Sequence, residues 1–315
     1  MMLWLYIVLA ALAALVLLVL LICYICFRMA FLAKPDPCAG QEYPIPPGAV
    51  YQPHRPIMEK WIKLTRQIPC QEFSVTSFDG LKLYGKYYEC QPGAPIELMF
   101  HGYRGLAERD LCGGVQRCFA LGRNALLVDQ RTAGKSEGKV ISFGINERRD
   151  CITWVDFMVD HFGPDVRIIL TGISMGAATV MMASQLPLPK NVVGIIADCG
   201  YTSPKEIICR VIRQMKLPAF SYFFLKLAAR IYGGFDLEEA SPIEAMKECK
   251  IPVFFAHGEA DDFVPCQMSI DNYNACTAPK RLLVIPEADH GLGYIYGKED
   301  YLRVLREMEQ EYTNS

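Results

Sequence analysis

Apolar residues are distributed unevenly along the chain, and the pattern sets one terminal segment apart. From Leu3 to Phe27 there is no charged residue and no histidine. As a helix, this run would be about 37 Å long, which is enough to cross a bilayer core with some tilt. A buried helix of a soluble protein rarely runs so far without a charge. The pattern therefore predicts a transmembrane anchor over residues 1–33.

A cleavable signal peptide is the alternative for this segment. Such a peptide has a basic start, a shorter apolar region and a cleavage site between small residues. No basic residue precedes the apolar run, and no Ala-x-Ala pattern follows it, so an uncleaved anchor is favoured. The nearest basic residues, Arg28 and Lys34, lie on its C-terminal flank. The positive-inside rule then places the main domain on the cytoplasmic side of the membrane.

Cysteine usage agrees with that orientation. The chain has 13 cysteines, and those beyond the anchor are odd in number and show no disulfide-framework spacing. A secreted domain would more often have few, paired cysteines. The net charge of −2 is not typical of a nucleic-acid-binding protein. The composition therefore favours a membrane-bound protein with a reduced, globular domain and no nucleic-acid partner.

The rest of the chain alternates between two kinds of apolar pattern. Residues 34–56 contain seven prolines and are predicted to be an extended stalk, and residues 57–315 are predicted to be one domain. In that domain, short continuously apolar runs, typical of strands covered on both faces, alternate with helical stretches. An Asp79-Gly80 hairpin signal joins the first two strands. The predicted fold is α/β, with a mostly parallel central sheet flanked by helices. The predicted strands are Glu72–Phe78, Leu81–Tyr88, Ile96–Phe100, Ala125–Val128, Arg167–Thr171, Val192–Ala197, Val253–Ala256 and Leu282–Ile285.

The region 203–250 is longer than one crossover helix requires. Its centre, Phe220–Leu225, is strongly aromatic and lies between Pro218 and a pair of glycines. Two interpretations are open for it. The aromatic run is either a helix packed on the core or a small helical lid over a pocket.

The motif with the most specific chemistry is Gly172-Ile173-Ser174-Met175-Gly176. It directly follows a predicted strand and precedes a predicted helix, which is the context that a G-x-S-x-G nucleophile elbow requires. The glycines are needed because the turn is too tight for Cβ atoms, and the helix N-terminus supplies positive potential for an oxyanion. Ser174 is therefore the candidate nucleophile.

A serine nucleophile needs a base, and the base needs an acid. Of the five histidines, His290 is the best candidate, because it follows a strand late in the chain. Asp261 and Asp262 follow the preceding strand, and the order Ser174, Asp261, His290 is the one associated with α/β-hydrolases. Asp198 is a rival for the acid because it too ends a predicted strand.

The oxyanion stabiliser is predicted in the segment His101-Gly102-Tyr103-Arg104-Gly105. This segment follows the strand Ile96–Phe100, and its glycines would let backbone N–H groups face a substrate. The predicted donors are the backbone N–H groups of Tyr103 and Met175. His101 is interpreted as a structural residue.

Together these motifs resemble the serine hydrolases of the α/β-hydrolase superfamily, in a group of bacterial membrane-anchored, esterase-like proteins. The resemblance covers residues 70 to 310 and is specific for the fold and for serine catalysis, but not for a substrate. Its His-Gly-x-x-Asp-x-x-Val-Pro pattern places the acid at Asp261, and it implies structural roles for Asp129 and Arg131. The residues that carry it are His101-Gly102-Tyr103, Asp129-Gln130-Arg131, Gly134–Gly138, Gly172–Gly176, His257-Gly258, Asp261, Val264-Pro265 and His290-Gly291.

The resulting hypothesis is hydrolysis of carboxylic esters through an acyl-enzyme, with short to medium acyl chains preferred. The expected partner is a small ester or a lipid-like substrate, and neither a metal nor an organic cofactor is implied. Two alternatives are kept. One is a peptidase or amidase of the same fold, although no propeller or large cap domain fits in the chain. The other is an inactive hydrolase scaffold that binds ligands while tethered to the membrane.

Overall fold

The computed structural model describes residues 2–312, and its centre is an eight-stranded sheet. The strand order is β1-β2-β4-β3-β5-β6-β7-β8. The pairs β1–β2 and β2–β4 are antiparallel and all the other pairs are parallel. The strands are β1 Cys70–Thr76, β2 Lys82–Tyr88, β3 Ile96–Phe100, β4 Asn124–Asp129, β5 Ile168–Ile173, β6 Val192–Asp198, β7 Val253–Gly258 and β8 Lys280–Ile285.

Helices cover both faces of this sheet. Trp154 on α4, Val180 on α5 and Met246 on α8 belong to the core on one face. On the other face, Leu111 of α3 and Tyr301 of α11 are buried in two further clusters. The predicted α/β class with a mostly parallel sheet is confirmed. The helices are α1 Met2–Ala30, α2 Arg55–Gln67, α3 Ala107–Ala120, α4 Glu147–Phe162, α5 Met175–Ala183, α6 Pro204–Gln214, α7 Ser221–Ala228, α8 Pro242–Glu248, α9 Cys266–Ala275, α10 Gly293–Tyr296 and α11 Lys298–Tyr312.

The entry hairpin forms at the predicted place. Thr76 pairs with Lys82 across it, and Gly80 has a φ of +88°, a conformation that glycine adopts without steric cost. Strand β3 lies in the centre of the sheet and is buried at all five positions. A strand with helices on both sides is expected to read as a continuous apolar run.

One charged group is buried in this central strand. The Glu97 carboxylate accepts hydrogen bonds from Arg117 (2.5 Å), Arg123 (2.9 Å) and the Thr171 hydroxyl (3.0 Å). Burial alone would raise the pKa of Glu97, but the two guanidinium groups outweigh it and hold the pKa at about 2. Thr171 immediately precedes the Gly172 turn, so this ion cluster ties β3 to the end of β5.

The loop after β4 is held by the residues whose structural roles the resemblance implied. The Asp129 carboxylate accepts backbone N–H groups from Ala107 and Lys135, each at 3.2 Å. Arg131 donates to Asp150 at 2.7 Å. These bonds fix the loop at the end of β4.

Helix α1 is long and apolar enough to cross a membrane. Its residues from Met2 to Leu18 are exposed, whereas Cys23 and Phe27 are buried against the domain. The chain then turns back across the α/β body. The Ala33 N–H donates to the Lys139 carbonyl at 2.8 Å, and Ile45 is buried. The segment 34–56, expected from the sequence to be a stalk, thus lies along the domain.

A buried ion pair holds this proline-rich segment against α3. Arg109 on α3 donates to Asp36 at 3.0 Å and to Asp110 at 2.7 Å. The Arg109 side chain is almost fully buried, so this pair is less screened by solvent than a surface ion pair. We call residues 33–51 the strap, because they run from α1 across the carboxyl end of the sheet.

Candidate active site

The turn between β5 and α5 presents a single serine side chain. Ser174 has φ +57° and ψ −118°, a region that L-residues rarely adopt. Its N–H donates to the Asp198 carbonyl at 2.8 Å. A Cβ atom at Gly172 would lie 2.1 Å from the backbone of Gly176, and one at Gly176 would lie 2.0 Å from the Phe100 oxygen. Both glycines are therefore required by close backbone contacts.

The structure brings Ser174, His290 and Asp261 together in one hydrogen-bonded chain. The Ser174 hydroxyl is 2.9 Å from Nε2 of His290, and Nδ1 of His290 is 2.6 Å from Oδ2 of Asp261. Because a carboxylate only accepts, Nδ1 carries the proton and Nε2 is free to accept from the serine. These positions lie on three segments separated by many residues and meet at the carboxyl end of the sheet.

The Asp261 carboxylate is held from all sides. Its Oδ1 accepts the backbone N–H groups of Phe263 (2.9 Å) and Val264 (2.8 Å). Burial acts to raise the pKa of Asp261, but hydrogen bonds from His257 and His290 outweigh it and lower the pKa to about 2. The group is therefore ionised at neutral pH and can stabilise an imidazolium.

His257 is a supporting residue that the sequence analysis did not assign. Its Nε2 is 2.8 Å from the Val264 carbonyl and 3.1 Å from Oδ2 of Asp261. Both partners are acceptors, so Nε2 carries the proton, and Nδ1 accepts from the Ser269 hydroxyl at 2.6 Å. The four-residue spacing from His257 to Asp261 within the His-Gly-x-x-Asp motif was the available signal.

The two rival acids lie in different surroundings. The Asp198 carboxylate accepts from the Tyr301 hydroxyl at 3.1 Å and is buried. Burial is the main cause that raises the pKa of Asp198. Asp262 contributes its backbone oxygen to Arg210 at 2.5 Å. Of the three aspartates, Asp261 is the one whose carboxylate bonds to His290.

The predicted oxyanion segment lies beside the serine. A Cβ atom at Gly102 would be 3.4 Å from Cβ of Ser174, so this loop passes close to the serine. The next residue, Tyr103, lines the same cavity as Ser174 and Met175. Met175 is the first residue of α5, where backbone N–H groups have no partner within the helix. The arrangement can therefore offer backbone donors near the serine oxygen.

Ser174 opens into a cavity of about 1210 Å³. Most of its lining is apolar, including side chains from α2, α3 and the ends of β3 and β5. The strap forms part of its wall with Pro35, Pro47 and Tyr51. The aromatic run Phe220–Leu225, one of whose interpretations was a lid, does not contribute to this lining. It packs on α1 instead, whose apolar face covers Phe224 and Leu225.

Three potential metal-ligating groups lie close together near the serine. The Cys199 sulfur, an Asp261 oxygen and a His290 nitrogen lie within 4.8 Å of one another. However, burial raises the pKa of the Cys199 thiol well above its usual value, and a thiol binds metals as the thiolate. The other two groups are already hydrogen-bonded to each other. This donor set fits an acid–base chain better than a metal site.

Comparison with known proteins gives relatives of low identity. No protein-family model matches the chain. The uncharacterised Bacillus subtilis (strain 168) protein YqkD is 28% identical over 193 residues, which are 59% of this chain and 62% of YqkD. The chain thus spans less than two thirds of the length of this relative.

Solved structures with the same fold are more informative about architecture. A Pyrococcus furiosus esterase, Pf2001, superposes with a TM-score of 0.65 at 21% identity, over 90% of this chain and 99% of the esterase. The α/β hydrolase GrgF from Penicillium gives 0.60 at 18%, over 78% and 100%. An acylaminoacyl peptidase from Pyrococcus horikoshii gives 0.56 at 16%, over 79% of this chain but 43% of the peptidase. Together with the sheet order, these likenesses show that the chain has the α/β-hydrolase fold.

Proposed function

We propose that this protein is a membrane-anchored serine hydrolase that cleaves carboxylic esters through an acyl-enzyme. The observation that carries the proposal is the continuous hydrogen-bonded chain from the Ser174 hydroxyl through His290 to Asp261. An inactive binding scaffold would have no need to keep a strained serine against a correctly oriented imidazole. The reaction requires no metal and no organic cofactor.

In the acylation step, the Ser174 oxygen attacks the ester carbonyl carbon while Nε2 of His290 takes the serine proton. The carbonyl oxygen becomes an oxyanion, which the backbone N–H groups of Tyr103 and Met175 stabilise. Asp261 stabilises the imidazolium through Nδ1. The carbon–oxygen bond to the alcohol then breaks, and His290 returns the proton to the departing alcohol. The acyl group is left on the serine.

Deacylation repeats these steps with water as the nucleophile. His290 takes a proton from water, and the resulting hydroxide attacks the acyl carbonyl. The second oxyanion collapses, the carbon–oxygen bond to Ser174 breaks, and the proton passes from His290 back to the serine oxygen. The products are a carboxylic acid, an alcohol and the regenerated enzyme.

A peptidase or amidase of the same fold is the second candidate. The acylaminoacyl peptidase named above has more than half of its chain outside the region of similarity. The esterase Pf2001, in contrast, is covered over almost its whole length. The comparison therefore supports an esterase over a peptidase for this chain.

Acyl-chain preference provides the experiment for the proposed function. We expect the full chain, purified in detergent, to hydrolyse p-nitrophenyl esters of short to medium acyl chains faster than acetylated sugars or peptide amides. The apolar cavity wall favours acyl groups, at about 0.8 kcal/mol per buried CH₂. Initial rates across a series from acetate to palmitate would measure this. A flat profile, or faster cleavage of amides, would contradict it.

Orientation in the membrane is the remaining part of the proposal. We place the catalytic domain on the cytoplasmic side, because Arg28 and Lys34 follow the apolar helix. Protease added to intact cells should then leave the domain uncut, and permeabilised cells should lose it. Digestion in intact cells would reverse the orientation and leave the anchor in place.

A further inference from the structure

The surface beside α1 exposes an unusual number of large apolar side chains. Phe220 is 67% exposed and Phe223 is 62% exposed. We call this surface the 215–231 face. A soluble domain rarely exposes a contiguous apolar patch of this kind unless something binds there. Its exposed members are Met215, Leu217, Phe220, Phe223 and Ile231.

The segment that carries this face is packed on α1. The Tyr232 hydroxyl donates to the Leu20 carbonyl at 3.0 Å, and the ring centroids of Tyr232 and Tyr24 are 5.5 Å apart. Cys23 and Phe27 are buried in the same cluster as Ala228. One side of α1 is therefore covered by the domain. The opposite side, with Leu21 and Ile25, is exposed.

The level of this contact along α1 can be read from the charges. The charge-free run ends at Phe27, and Arg28 is the first charged side chain. A basic residue at the end of a membrane helix lies at the lipid headgroups. The part of α1 that precedes Arg28 therefore lies on the lipid side of that boundary. The Tyr232 contacts are made to that part of α1.

We infer that the 215–231 face is inserted into the same bilayer that α1 enters, where it contacts phospholipid. The inference rests on the proposed membrane anchor. The exposed side of α1 and the exposed Phe220 and Phe223 at the start of α7 then form one continuous lipid-facing surface. An apolar helix face that lies in the plane of the interface is a known mode of membrane binding.

This placement brings the cavity to the membrane surface. Gln214, at the end of α6, lines the cavity next to Met215 and donates to the Asp262 carbonyl at 3.2 Å. On the other side, the Tyr103 hydroxyl donates to the Ala30 carbonyl at the end of α1 at 2.7 Å. The cavity thus lies between two elements at the lipid boundary. Esters dissolved in the bilayer are the substrate class that such a position favours.

The insertion of the 215–231 face into the bilayer can be tested without measuring activity. The full chain carrying Phe223→Trp is reconstituted into phosphatidylcholine vesicles with or without bromine on the acyl chains near the headgroup. Leu64→Trp on α2, at a similarly apolar exposed position, is the matched control, and the wild-type emission is subtracted from both. We expect bromine to reduce the added emission of Phe223→Trp by about half or more and to leave that of Leu64→Trp unchanged.

Equal emission of Phe223→Trp with and without bromine would overturn the inference. A second copy of the chain on this face would give that result together with cross-links between copies, and so would also count against it. The proposed ester hydrolysis is judged separately, by whether the wild-type chain cleaves any ester. If bromine quenches the emission but the chain cleaves no ester, the membrane insertion is supported and the proposed ester hydrolysis is rejected.

A second experiment relates the membrane insertion of this face to substrate hydrolysis. In Phe220→Glu/Phe223→Glu, we expect hydrolysis of p-nitrophenyl palmitate held in vesicles to fall about tenfold relative to wild type. Hydrolysis of water-soluble p-nitrophenyl acetate should stay within about twofold of wild type. Ile57→Glu/Leu64→Glu on α2 is the matched control and should hydrolyse both as wild type does. If Phe220→Glu/Phe223→Glu hydrolyses the vesicle-held ester at the wild-type rate, this would count against the membrane insertion of the face.

Discussion

Ser174→Ala is expected to abolish ester hydrolysis while leaving the protein folded. The substitution removes the oxygen that we propose as the nucleophile, which is also the hydrogen-bond partner of His290 Nε2. Loss of one member of such a chain typically costs about 10⁴–10⁶-fold in kcat. The backbone conformation of residue 174 and its N–H bond to Asp198 remain available to alanine, which has a Cβ as serine does. The measurement is the rate of p-nitrophenyl ester hydrolysis by the purified full chain.

Ser184→Ala is a matched control for this variant. Ser184 lies just after the other end of α5 and donates to the Met181 carbonyl at 2.7 Å, away from the lining of the cavity. It should keep wild-type turnover and label with a fluorophosphonate probe, whereas Ser174→Ala should not label. Unchanged turnover of a folded Ser174→Ala protein would end the serine-hydrolase proposal.

Asp261→Asn is expected to be nearly inactive, by about 10⁴-fold in kcat. An amide at this position can donate to Nδ1 of His290 and so favours the wrong tautomer, with the proton on Nε2. It also removes the charge that stabilises the imidazolium. Asp262→Asn and Asp198→Asn should retain substantial turnover, because neither carboxylate bonds to His290. If one of these two is the inactive variant and Asp261→Asn works, the assignment of the acid is wrong.

The depressed pKa of Asp261 adds a stability signature to the same variant. Its folded-state pKa of about 2 lies below the ordinary value of 3.8, so the carboxylate stabilises the folded protein above about pH 4. That contribution is lost as the pH falls toward 2. The free energy of unfolding of Asp261→Asn should therefore vary less with pH in this window than that of wild type. Thermal melts of both proteins from pH 5 to pH 2 would measure the difference.

Sequence patterns were sufficient for the fold class because each buried strand is a short apolar run. Ile96–Phe100 is the same in prediction and structure, and β4 and β5 differ by one or two residues at their ends. The tight turn that presents Ser174 was predictable because a strand–turn–helix of this kind requires glycines at fixed positions; the role of Ser174 as nucleophile stays a prediction. The proximity of His290 and Asp261 to Ser174 was predictable because carboxyl ends of neighbouring parallel strands meet at one edge.

Other parts of the site had no such local signal. The run of prolines predicts an extended segment, but nothing in it states which surface it lies on. Its position on the domain depends on distant partners, such as Arg109 for Asp36. Likewise, an aromatic helix is compatible with a core, a lid or a membrane face. The contact between Tyr232 and Leu20, more than two hundred residues apart, depends on the tertiary fold.

Because one side of α1 packs on the domain and the other side is exposed, the two sides restrict substitutions differently. On the exposed side, which the proposed anchor would turn towards lipid, a position such as Ile25 has only to remain apolar, so leucine, valine or phenylalanine would serve equally there. On the protein-facing side, Cys23 and Phe27 fill fixed spaces in a buried cluster, where a change of one methylene is felt. Related chains should therefore keep size as well as apolarity at every third or fourth position of this helix. The proposed anchor is thus also part of the packing of the domain, and replacing α1 by an unrelated transmembrane helix is expected to destabilise the domain.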